Sequence, residues 1–87
     1  METQYKFIHF LKKEEKPKTS VWYCCNNKSD NILGEVKWYS RWRQYCYFST
    51  VPAIYSIGCL EDINNFIQQL NKERHVLAEK ELNCNGL

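Results

Sequence analysis

Between Glu35 and Phe48 the chain carries two of its three tryptophans and three of its six tyrosines, with Arg41 and Arg43 set among them. Large rings and β-branched residues suit a pleated, half-buried surface. The stretch divides at Ser40-Arg-Trp-Arg43, and the run on each side has the length of a strand. A lone two-stranded hairpin is marginal in water, so the rest of the chain has to extend the sheet and cover one side of it.

The remaining residues supply those parts. Tyr5–Leu11 is rich in β-formers and predicts a first strand, and the charged run Lys12–Lys18 a turn that Pro17 helps to end. Thr19–Cys25 predicts the second strand. Asn26–Asn31 is a turn cluster, because Asn and Asp bond their own backbone and tolerate left-handed geometry. Ile32–Tyr39 and Gln44–Ser49 follow as the third and fourth strands. Pro52 marks a break, and Ala53–Ile57 has the length of a short fifth strand. Beyond Gly58, Leu60, Ile63, Phe66, Ile67 and Leu70 form one apolar stripe at helical spacing. The helix is expected to begin near Cys59, with Glu61 and Asp62 in its first turn where negative charge suits the dipole. It is expected to reach at least Lys72 and as far as Lys80, with Asn85 and Gly86 as stop residues.

The expected fold is therefore α+β: an antiparallel meander of four to five strands with one C-terminal amphipathic helix packed on one face. Residues 1–87 make a single small domain with its core in 5–72, and 73–87 form a helix extension or a frayed tail. A domain of 87 residues buries little unless its side chains are large, and here 15% are aromatic. The 25% charged and 44% hydrophobic content is that of a globular chain.

Successive side chains of a strand point to opposite faces. In the third strand Ile32, Gly34, Val36 and Trp38 share the side expected to meet the helix, and Leu33, Glu35, Lys37 and Tyr39 the other. In the fourth, Cys46 and Phe48 fit the core side, which sends Tyr45 and Tyr47 outward. The expected outer surface is Lys37, Tyr39, Arg41, Trp42, Arg43, Tyr45 and Tyr47. Rings beside Arg and Lys are what binding surfaces favour, since the rings offer apolar area and the cations charge-assisted bonds. Cross-strand Tyr–Tyr and Tyr–Lys pairs also stabilise a sheet with no ligand at all.

Little else in the chain carries chemistry. Five cysteines and two histidines show no paired short spacing, so no metal site is expected. Cys59 at a helix start is the most suggestive thiol, yet no partner base lies near it in sequence. The acidic pairs Glu14-Glu15 and Glu61-Asp62 read as solvation and dipole features, and the three glycines do not cluster into a phosphate loop. No enzyme activity and no cofactor are expected. No run of about 18 apolar residues is present, so no membrane partner is expected. Met1–Phe10 lacks the layout of a secretion signal, which makes free thiols in the cytoplasm the expected state. Residues 1–58 carry nine Lys and Arg against five Asp and Glu, and 59–87 three against five. The first part is thus mildly basic, a weak mark of an anion-facing surface.

Lys37-Trp-Tyr-x-x-Trp-Arg-Gln-Tyr-Cys-Tyr-Phe48, followed by Gly58-Cys-Leu-x-Asp-Ile-x-x-Phe-Ile-x-x-Leu70, resembles a group of small bacterial and phage proteins of unassigned function. The resemblance spans residues 19–72 and implies a small accessory protein of a phage or mobile element. It brings no activity, cofactor or site residue. The expected function is a non-enzymatic binding module that captures a host protein, or a second copy of itself as a homodimer, through the aromatic and Arg-rich hairpin. Nucleic-acid binding and capture of a small anionic nucleotide by the same surface are the alternatives.

Overall fold

Short β-forming runs divided by turn clusters, and one long run at helical spacing, resolve into two layers. The computed structural model describes residues 1–85, with side chains through His75. Strands β1 (Ile8–Glu15), β2 (Ser20–Asn26), β3 (Ile32–Tyr39) and β4 (Gln44–Ser49) form one antiparallel sheet in the order β1-β2-β3-β4, and α1 (Ile57–Asn85) packs across it. No helix among the described residues is long and apolar enough to cross a membrane.

The core lies between sheet and helix. Ile8 and Phe10 of β1, Trp22 and Cys24 of β2, Val36 of β3 and Tyr45 of β4 meet Ile63, Phe66 and Leu70 of α1. At its centre the Phe10 and Phe66 rings stack at 3.9 Å, and Tyr5 and Trp22 present edges to Phe66. Such ring pairs add about 1 kcal/mol each beyond the area they bury. The buried Trp22 indole N–H donates to Ser20 Oγ at 2.8 Å, so the ring costs no orphaned donor.

Several boundaries differ from those expected. β1 begins three residues later than Tyr5 and continues through Glu15, because the charged run pairs with β2 across a bulge between Lys12 and Glu14. Of the four to five strands expected, four form among the described residues: residues 50–56 hold no regular structure, and Ile54 is fully exposed. The helix starts at Ile57 because Ser56 caps it, its Oγ accepting the Cys59 N–H at 3.2 Å. Glu61 and Asp62 therefore fall in the second turn. Asp62 is buried and accepts the Phe7 backbone N–H at 2.8 Å, tying the N-terminal segment to the helix. At this end the apolar stripe has drifted off the sheet, and Leu60 is exposed. Past Lys80 the helix runs on to Asn85; the stop expected at Gly86 lies outside the described residues.

A bulge also reverses the start of β3. Cys24 pairs with Gly34 and Cys25 with Ile32, which leaves Leu33 as the inserted residue. Leu33 packs on the core and Ile32 is exposed, the opposite of the simple alternation.

Candidate functional site

The register of the β3–β4 hairpin decides which rings are displayed. Trp38 pairs with Tyr45, Val36 with Tyr47 and Gly34 with Ser49, and directly paired residues share a face. Val36 is fully buried under the helix, so Tyr45 and Tyr47 lie on the helix side with it. The expected outward placement of Tyr45 and Tyr47 is corrected: both are structural. Tyr45 is 5% exposed, and its hydroxyl oxygen accepts the Ser20 N–H at 3.0 Å. Tyr47 is half-buried, with its hydroxyl bonded to that of Tyr55. Burial and this bond push the Tyr47 hydroxyl well above the ordinary tyrosine range. Cys46 and Phe48, expected in the core, belong to the face away from the helix.

Five of the seven expected residues, Lys37, Tyr39, Arg41, Trp42 and Arg43, remain on or beside that outer face. The Tyr39 ring is their hub. Trp42 meets it edge-on at 5.0 Å, and Phe48 packs against it at 6.0 Å. Lys37 Nζ stands 4.6 Å from the centre of the Phe48 ring, a cation–π contact that orders the ammonium on the sheet. Farther along the same face, Lys13 bridges Glu35 at 3.0 Å and lies over the Tyr23 ring. The Glu35 carboxylate raises the Lys13 ammonium above its usual range.

The turn that carries Trp42 has four residues. Trp42 N–H donates to Tyr39 O and Arg43 N–H to Ser40 O, and Arg43 sits in the left-handed region at φ 51°. A four-residue loop of this kind is a common way to close a hairpin, although a left-handed arginine is less favourable there than glycine. The outcome is that Arg41 and Arg43 are exposed and the Trp42 ring is 66% exposed, held at its inner edge by Tyr39. Trp38 instead turns toward the helix, where it packs against Tyr45 and under Arg74.

Sequence reasoning missed Phe48, because its pairing with the displayed Glu35 depends on the loop length that sets the register. It also missed Arg74, which the helix brings to the hairpin from thirty-odd residues away. Among the described residues, no group of three His, Cys, Asp or Glu side chains is placed to hold a metal ion. The Cys24 thiol is buried, and desolvation pushes it up to about 12, so it stays protonated at neutral pH. Compared with known proteins, the chain matches no family model, no curated protein and no solved structure.

Proposed function

We propose that the protein is a non-enzymatic binding module that docks a partner protein on the tip and outer face of the β3–β4 hairpin. The observation that carries this reading is Trp42, a large ring two-thirds exposed at a turn whose conformation is held by backbone bonds and by Tyr39. An indole kept in water forgoes about 25 cal/mol for each Å² of apolar surface that a partner could cover. Tyr39 and Phe48 extend the apolar area, and Arg41, Arg43 and Lys37 frame it with positive charge. The matching partner surface is a socket for an indole ringed by carboxylates. A tryptophan flanked by arginines is the composition in which interface energy concentrates. In the accessory role that the sequence resemblance implies, the partner is a host protein.

The test is affinity capture of the tagged chain from host extract, with protein and nucleic acid both analysed in the eluate. Wild type is expected to retain a partner protein that Trp42→Ala loses, with the melting temperature of the variant unchanged. Arg41→Ala and Arg43→Ala are expected to weaken capture and to flatten its salt dependence. Capture that survives all three changes, or an eluate that holds only nucleic acid, overturns the reading.

A further inference from the structure

On the helix side of the same hairpin, the end of β3, the start of β4 and the middle of α1 enclose an open cleft of about 550 Å³. Its lining is Trp38, Arg43, Gln44, Asn71, Arg74 and His75. No carboxylate is among these described residues, and Arg43 and Arg74 give them a positive charge. The volume falls within the range of small-molecule sites.

The donors are arranged for an acceptor. Arg74 lies over the Trp38 indole with its guanidinium carbon 5.5 Å from the ring centre. Its Nε is buried and has no hydrogen-bond partner among the described residues. A buried, unmatched guanidinium N–H is costly, and such groups call for an acceptor. Asn71 Oδ1 is already taken by the Tyr45 N–H at 2.7 Å, which leaves the Asn71 amide nitrogen as the group still able to bond. Arg43 also lines the cleft, which puts a second arginine beside Arg74 and Trp38. Two planar forks beside an indole, with donors in excess of acceptors, suit a phosphate attached to a flat ring.

We infer that this cleft is a binding site for a small phosphorylated ligand with a planar ring, of the size of a nucleoside monophosphate. Arg43 and Arg74 hold the phosphate, the Asn71 amide adds a neutral donor, and the ring lies against the Trp38–Arg74 pair. Arg43 borders both sites, but Trp42 does not line the cleft and Arg74 is no part of the docking surface, so Trp42→Ala and Arg74→Gln tell the two apart.

The experiment is a titration of the ¹⁵N-labelled protein with AMP, adenosine, ribose 5-phosphate and inorganic phosphate, following the Arg side-chain Nε–H and Trp indole N–H signals. AMP is expected to move the Arg74 and Trp38 signals and to bind more tightly than the other three probes. Arg74→Gln and Arg43→Gln are each expected to weaken AMP by about tenfold, the usual scale for a lost charged hydrogen bond, and Lys28→Gln to leave it unchanged. Melting temperatures taken alongside show whether each variant is folded, and Arg43 lies in an exposed turn where the change to Gln spares the core. The site is overturned if AMP moves neither signal. Equal binding of inorganic phosphate and AMP, or AMP binding unaffected in both Arg variants, also overturns it. So does marked preference for a single-stranded oligonucleotide over AMP, which would assign the donors to a nucleic-acid backbone.

Discussion

Gly34→Ala is the most demanding test of the hairpin register. A Cβ built at Gly34 would stand 2.4 Å from the Phe48 carbonyl oxygen, 2.6 Å from the Tyr47 hydroxyl and 2.7 Å from the adjoining ring carbon. Ordinary carbon contacts are about 3.5–4.0 Å, so each neighbour has to retreat by roughly an ångström. The carbonyl belongs to a strand paired with β3 along its length, and the Tyr47 hydroxyl is bonded to Tyr55. Neither can move alone. Overpacking of this kind costs about 1–3 kcal/mol, and breaking the tyrosine pair adds about 1 kcal/mol. The smaller entropy of an unfolded alanine returns about 0.4–1 kcal/mol. The net loss is roughly 2 kcal/mol, a fall in melting temperature of about 8–16 °C for a domain this size. Thermal unfolding followed by circular dichroism reads it, with urea unfolding as a check that the slope is unchanged. Tyr47→Phe removes the hydroxyl and should make the alanine less costly without abolishing its cost, because the carbonyl remains. A Gly34→Ala melting temperature within about 2 °C of wild type would refute the register and the inward placement of Tyr47.

Two further outcomes follow from the buried polar groups. Asp62→Ala orphans the Phe7 N–H and should cost about 1.5–3 kcal/mol, with faster hydrogen exchange at Phe7, whereas Asp62→Asn keeps an acceptor and should cost less. The Cys24 thiol is raised in the native state from 9.0 to about 12 by burial, so the unfolded chain releases this proton at lower pH than the folded one. The contribution is full below 9.0 and is lost as pH rises toward 12, by on the order of 1 kcal/mol near about pH 10; denaturant titrations of wild type and Cys24→Ala should diverge across that window.

The order of elements was legible from local signals alone. β3 and β4 have the bounds expected from their runs of rings, and Ser40–Arg43 is the turn between them. The stripe Ile63, Phe66, Leu70 is the buried side of α1, since helical spacing depends only on the chain itself. The helix start is legible too, since Ser56 stands three residues before Cys59 and caps the helix through its hydroxyl. The candidate site was half legible: composition pointed to the hairpin, and Arg41, Trp42 and Arg43 had to be at its tip wherever the rest faced.

Which rings of β4 are core and which are displayed was a tertiary decision. Tyr45 and Tyr47 alternate with Cys46 and Phe48, so both faces of the strand are apolar enough to be buried, and a period of two cannot choose between them. The choice is made by partners distant in sequence. The Ser20 N–H satisfies Tyr45, Tyr55 satisfies Tyr47, and Gly34 leaves the space in which Tyr47 fits. A tyrosine can go inside only where something meets its hydroxyl, and that meeting exists only once sheet and helix are assembled. The same assembly carries Arg74 over Trp38, and with it a cleft that no stretch of sequence contains.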